Sequence, residues 1–159
     1  MSPQPPMGDG VDDRRTPPEL FARLNNLYDF TLDGAASHEN ALVDVYCTLE
    51  GTFSRGVFKP SPTLIDTENG LLYPWTNSRV FLNPPYGRGL LEPFVHKAHL
   101  EALRHRALVV ALLPARTEQR WFHEDVLGAN ASIEWIRGRV KYDGLATGAP
   151  FPSMIVTWR

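Results

Sequence analysis

Apolar residues recur along this chain with two different periods, and the changes of period divide it into elements. Leu20, Phe21, Leu24, Leu27 and Tyr28 fall at helical spacing behind Thr16-Pro17-Pro18-Glu19, which reads as an N-cap followed by proline at the first helical position. A first helix is expected there. Residues 30–33 predict a short strand that runs into the small residues Gly34-Ala35-Ala36-Ser37, with Ser37 capping a brief helical turn. Residues 42–48 read as a second strand. Over about 49–76 Gly, Pro, Ser and Thr recur at short intervals, and Phe53, Val57, Phe58, Leu64 and Ile65 are too sparse to define elements. The expectation is an irregular insertion, of a length that is usually functional or mobile.

Regularity returns at residues 79–82, a predicted strand, and at 90–106, an amphipathic helix carrying Leu91, Phe94, Val95, Ala98 and Leu103. Residues 107–113 form a continuous apolar run, as in a strand buried on both faces of a parallel sheet. Thr117 caps a further helix containing Trp121, Phe122 and Val126, which stops at Gly128; residues 133–136 and 153–158 read as closing strands. Strands alternating with helices predict an α/β fold with a doubly wound, mostly parallel sheet. Residues 1–13, with Pro3, Pro5, Pro6, Gly8 and Gly10, predict a disordered tail, which leaves residues 14–159 as one compact domain.

Composition narrows the classes. With 159 residues and 43% hydrophobic content, the chain suits one well-packed domain rather than two. No apolar run approaches bilayer length, and the N-terminus does not resemble a signal peptide. The single cysteine, Cys47, has no internal partner for a disulfide and suggests a reducing compartment, hence the cytoplasm. A net charge of -2 argues against strong non-specific nucleic-acid binding, so any such contact must come from local clusters: Arg14-Arg15, Arg104 with Arg106, or Arg137, Arg139 and Lys141.

The richest candidate chemistry is Asn83-Pro84-Pro85-Tyr86, set between Val80-Phe81-Leu82 and Gly87-Arg88-Gly89. An exocyclic amino nitrogen on a base or amide is a poor nucleophile because its lone pair is delocalised. Two acceptors aimed at its two hydrogens draw that pair out of conjugation. The Asn83 side-chain oxygen and the Pro84 carbonyl suit this task, and Pro84 and Pro85 each hold the preceding residue extended. Tyr86 offers an aromatic face for a planar substrate. A plain turn uses the same residue types. Asp33-Gly34-Ala35-Ala36 is a second candidate: in open α/β sheets ligands sit beyond the strand carboxyl ends, small side chains admit a cofactor, and free N–H groups can face its carboxylate. It lacks a G-x-G, and a tight turn explains it equally. His96 and His99 stand three apart without further clustered ligands, so no metal is expected. Trp121 and Phe122 read as core.

The tetrapeptide resembles the amine-methylating motif of S-adenosylmethionine (AdoMet) enzymes. The order of five blocks resembles one family, the phage-type N6-adenine DNA methyltransferases, over roughly residues 16–158. These blocks are Thr16-Pro17 with its helix; Leu32-Asp33-Gly34-Ala35-Ala36-Ser37 with Asn40; Val80 through Gly87; Leu112-Leu113-Pro114-Ala115-Arg116-Thr117 leading to Trp121-Phe122-His123; and Gly138-Arg139-Val140-Lys141-Tyr142 with Ala149-Pro150-Phe151-Pro152-Ser153. The resemblance implies a class I Rossmann-like fold and methyl transfer from S-adenosyl-L-methionine to N6 of adenine in DNA. Thr16, Pro17, Asp33, Gly34, Ala35, Ala36 and Asn83 would line the cofactor pocket, and Asp66 or Glu68 would hold cofactor adenine or ribose. Asn83, Pro84, Pro85 and Tyr86 would carry the reaction, with Tyr86 stacking on an extruded base. Arg116 and Thr117 would face the cleft, although a helix cap accounts for Thr117 as well. Arg139 would contact phosphate, or simply end a strand turn. The family also implies a phage or prophage protein in a bacterial cytoplasm, with adenine-containing DNA as its partner. Three departures stand out: Asp12 to Arg15 replace a Trp common before the Thr-Pro, Gly34 follows the first Asp, and the stretch from 49 to 67 is long. The same tetrapeptide would serve an RNA or protein-amide methyltransferase, and a non-catalytic DNA- or protein-binding module could keep the fold.

Overall fold

The structure is a computed structural model that describes residues 14–48, 51–54, 57–60, 74–87, 89–143 and 147–159. Within these the chain runs α1 (Pro18–Tyr28), β1 (Leu32–Asp33), β2 (Val45–Cys47), β3 (Gly51–Ser54), β4 (Val57–Pro60), β5 (Arg79–Leu82), α2 (Leu91–His105), β6 (Leu108–Pro114), a π-helix (Phe122–Leu127), β7 (Ser132–Trp135) and β8 (Ser153–Trp158). The strands form one sheet in the order β4-β3-β2-β1-β5-β6-β8-β7. Parallel pairing joins β2, β1, β5 and β6, whereas β3 pairs antiparallel with β2 and β4, and β8 antiparallel with β6 and β7. Only β3 and β8 therefore oppose the common strand direction.

The alternation of side chains along a strand explains how the layers assemble. On β5, Phe81 meets Phe21 of α1 edge-on at 5.2 Å between ring centroids and Phe30 at 5.4 Å, so α1 covers that face. Val80 and Leu82 point the other way, toward Trp75. There α2 closes the sheet: Glu101 accepts the Trp75 backbone N–H at 2.8 Å, and the Lys97 ammonium lies 4.8 Å from the Trp75 ring centroid while bonding Glu101 at 2.9 Å. With helices on both faces, Val109 through Leu113 of β6 are fully buried, as the uninterrupted apolar run predicts. No helix among the described residues is long and apolar enough to cross a membrane.

Several boundaries differ from the sequence reading. Proline 17, not Thr16, is the residue preceding α1, no side chain caps that helix, and Pro18 takes its first turn. The Thr16 hydroxyl is engaged elsewhere. The strands expected at 30–33 and 42–48 shorten to β1 and β2. Part of the expected irregular insertion is a hairpin, β3 with β4, whose Phe53 and Phe58 backbones are paired in register. Asp66, Glu68 and the rest of 61–73 lie outside the described residues, as does the tail expected at 1–13. Leu27 and Leu103, placed on the apolar helix faces by their spacing, are each 68% exposed, whereas Lys97 and Glu101 are buried. Mutual pairing and the Trp75 N–H satisfy those two charges, which no hydrophobic pattern reveals.

Candidate active site at the carboxyl edge of the sheet

From β1 the chain crosses to β2 on one side, and from β5 it crosses through α2 to β6 on the other. The boundary between β1 and β5 is thus a topological switch point, where the connections diverge and leave a crevice at the strand carboxyl ends. Residues 34–44 leave β1 at this edge, 83–87 leave β5, and 115–121 leave β6. Strand β7 runs parallel to β6, so residues 136–143 and 147–152 occupy the same edge before β8 returns. The sequence-predicted candidates Asn83, Tyr86, Arg116 and Arg139 belong to these exits, and Asp33 is the last residue of β1.

Asn83 stands one residue beyond β5, and the Pro84 carbonyl lies outside the strand ladder. The Asn83 Nδ2 group donates to the Arg14 carbonyl at 2.6 Å and to the Thr16 hydroxyl oxygen at 3.1 Å. Its Oδ1 lies 3.3 Å from the Tyr86 hydroxyl. That hydroxyl has one proton and a nearer acceptor, the Leu112 carbonyl at 2.8 Å, while the Tyr142 hydroxyl sits 3.0 Å away and can donate back to it. Asn83 Oδ1 therefore keeps acceptor capacity. Burial raises the pKa of Tyr86 well above the usual phenol range and Tyr142 raises it further, with Arg14 and Arg116 pulling modestly the other way. Tyr86 is a neutral donor and ring at physiological pH, not a base.

The ring of Tyr86 is not an open platform. It is 6% exposed, with Tyr142 and Phe151 packed edge-on at 6.4 and 5.7 Å and the Arg14 guanidinium over its face at 5.7 Å. Arg14 lies over Phe151 as well, at 5.1 Å. These three neighbours had no assigned role in the sequence reading. Tyr142 and Phe151 were visible only as members of motif blocks, and Arg14 only as part of a basic pair.

The small-residue turn after β1 is more tightly bonded than expected. Gly34 N–H donates to the Phe81 carbonyl, Ala35 N–H to Asp33 Oδ1, Ala36 N–H to the Cys47 carbonyl and Ser37 N–H to Asn40 Oδ1. The N–H groups of the turn itself are thus engaged, two of them because hydrogen bonding to β5 and β2 continues past the end of β1. Gly34 is also small for a packing reason. A Cβ there would stand 3.0 Å from Trp75 Cζ2, 3.0 Å from Val80 Cγ1 and 3.3 Å from Leu82 Cδ1, all on buried side chains. Gly34→Ala is expected to destabilise by about 1–3 kcal/mol through overpacking, read as a lower urea midpoint at unchanged slope.

Asp33 is almost completely buried and accepts the Ala35 and Leu42 N–H groups at 3.3 and 3.1 Å. Desolvation raises its pKa from 3.8 to about 7, against the lowering effect of those two donors. The folded state then holds this proton more tightly than the unfolded chain, so the contribution is fully present below about pH 3.8 and is lost as pH rises through about 7. We expect wild-type stability to fall between pH 4 and 7 relative to Asp33→Asn, with a ceiling on the order of 4 kcal/mol. Urea titrations of both proteins across this range check it; parallel pH profiles would refute it.

Of the remaining candidates, Pro17 flanks α1 and its carbonyl accepts the Phe21 N–H. Arg116 is half-buried near Tyr86, and Arg139 is exposed with its Cβ against Gly148. Thr117 caps no helix: its carbonyl accepts from His123 Nε2 at 2.8 Å, and no side chain caps the π-helix. His96 and His99 each place Nδ1 2.9 Å from the same Asp125 oxygen, tying α2 to the π-helix. Among the described residues no cluster of three or more ligating side chains could hold a metal ion.

A family model described as DNA N-6-adenine-methyltransferase (Dam) matches residues 61–158, more than half of the chain. The matched span contains β5, the tetrapeptide, β6 and the 136–152 loop. It begins after β1 and after the Arg14 and Thr16 contacts to Asn83. No curated protein matches the chain.

Proposed function

Because this chain belongs to the DNA N-6-adenine-methyltransferase (Dam) family, we propose that it transfers the methyl group of S-adenosyl-L-methionine to N6 of adenine in DNA, through a class I Rossmann-like fold. The observation that carries this reading is the Asn83 carboxamide at the switch point, with both Nδ2 contacts directed away from an oxygen that retains acceptor capacity. Asn83 Oδ1 and the Pro84 carbonyl accept the two N6 hydrogens of an extruded adenine. This withdraws the nitrogen lone pair from the ring and aims it at the methyl donor. Pro84 and Pro85 restrict the backbone to the extended path that keeps the two acceptors convergent. Transfer leaves N6 with one proton in excess, which passes to solvent, since Asn83 and the neutral Tyr86 are not bases.

The carboxyl edge between β1 and β5 suits the cofactor because the side chains of Ala35 and Ala36, after the packed Gly34, are no larger than a methyl group. With their N–H groups engaged, Asp33 to Ala36 would line the site through carbonyls and Cα hydrogens, joined by Pro17 and, from the segment before Trp75, Glu68. When bound, S-adenosyl-L-methionine supplies a methyl group activated by its positively charged sulfur. Tyr86 holds the base after Arg14 leaves its face, and Arg116 and Arg139 supply positive charge for the DNA backbone at the same edge. The experiment is methylation of adenine-containing DNA by the purified chain with isotopically labelled cofactor, followed by nucleoside analysis. Label in N6-methyladenine supports the reading. Calorimetric absence of cofactor binding by the folded protein, with and without DNA, would defeat it.

A further inference from the structure

We propose that residues 14–16 set the polarity of the Asn83 carboxamide, with Thr16 as a positioning residue for methyl transfer; the catalytic consequence rests on the function proposed above. A carboxamide has two ends of nearly equal size, and only the oxygen can accept the hydrogens of an amine. The Arg14 carbonyl, an acceptor without a proton, lies 2.6 Å from Nδ2. Turned by 180°, Asn83 would place Oδ1 against that carbonyl, forfeiting a hydrogen bond and setting two oxygens face to face in a part-buried site. The Thr16 hydroxyl oxygen, 3.1 Å away, takes the second Nδ2 hydrogen. No donor on Asn83 is left to face the incoming base.

The segment is anchored independently of the Thr16 hydroxyl. Asp143 N–H donates to the Arg15 carbonyl at 2.9 Å in an isolated antiparallel bridge, and α1 begins immediately after the segment, so the backbone stays fixed when the Arg14 guanidinium leaves Tyr86. Thr16 is also 6% exposed, so its hydroxyl meets Asn83 in an enclosed position. The matched family span, 61–158, includes Asn83 but not residues 14–16.

The test uses the whole chain with Thr16→Val, Thr16→Ser and Asn83→Asp. Thr16→Val should slow single-turnover methylation about tenfold, the scale of one hydrogen bond, with cofactor affinity and DNA half-saturation unchanged; Thr16→Ser should restore the rate. Asn83→Asp should be inactive at neutral pH although a carboxylate is the stronger acceptor, because it opposes one oxygen to another at the Arg14 carbonyl. An independent readout is hydrogen exchange of the Asn83 side-chain NH2, assigned by its disappearance in Asn83→Asp: slow in the wild type and about tenfold faster in Thr16→Val. The proposal is overturned by an unchanged Thr16→Val rate, by near-wild-type turnover in Asn83→Asp, by a Thr16→Val defect that saturating cofactor abolishes, or by fast exchange in the wild type. A wild type without methylation would sink the functional reading, and the exchange comparison would still decide whether Thr16 holds Asn83.

Discussion

Asn83→Ala is expected to lower the single-turnover rate of adenine methylation by about a hundred- to a thousand-fold, the range found when one preorganised transition-state hydrogen bond is removed. The bond from N6 to Oδ1 strengthens as the nitrogen rehybridises, so the loss falls on the rate rather than on cofactor affinity. The fold should survive. Asn83 is half-buried, and truncating it removes only the Nδ2 bonds to the Arg14 carbonyl and the Thr16 hydroxyl, whose combined effect is on the order of 1–2 kcal/mol. Rapid-quench methylation, calorimetric cofactor binding and urea unfolding on the same preparation separate these effects. A variant that retains near-wild-type turnover would reduce Asn83 to a turn residue and remove the proposed mechanism.

The parts of the fold legible in the sequence are those governed by local pattern. The apolar run at 107–113 identified the doubly covered strand β6 within one residue, and β5 matched its expected limits because Asn83-Pro84 ends any ladder. The hairpin β3–β4 leaves little trace in the sequence, because its signal, Arg55-Gly56 between Ser54 and Val57, is diluted by the Gly, Pro, Ser and Thr around it. At the site, the tetrapeptide was legible as chemistry, whereas its surroundings were not. Sequence separations of 67 to 69 residues lie between Asn83 and the groups that orient it, and 56 between Tyr86 and Tyr142. Residue types at one position do not report such contacts. The engagement of the N–H groups of Gly34 and Ala36 was similarly hidden, since it depends on which strands flank β1.

Tyr86 is where stability and substrate capture come apart most clearly. Tyr86→Ala removes a ring that is 6% exposed and packed by Tyr142, Phe151 and Arg14, so the cavity should destabilise by about 3–5 kcal/mol. Tyr86→Phe keeps the ring but leaves the buried Leu112 carbonyl without its donor, and we expect about 1–3 kcal/mol of loss from that alone. Capture of the extruded adenine should respond in a different order. Stacking on an aromatic side chain is worth about 1–3 kcal/mol per base, but here the base must first displace the Arg14 guanidinium, which lowers the gain by about 0.5–2 kcal/mol. The Ala variant therefore loses base capture while Phe stays near wild type. The check is urea unfolding alongside the fluorescence of a 2-aminopurine placed at the methylated position of a DNA substrate. If the Phe variant loses base capture as severely as Ala, the hydroxyl bonds to Leu112 and Tyr142, rather than the ring face, govern how Tyr86 meets its substrate.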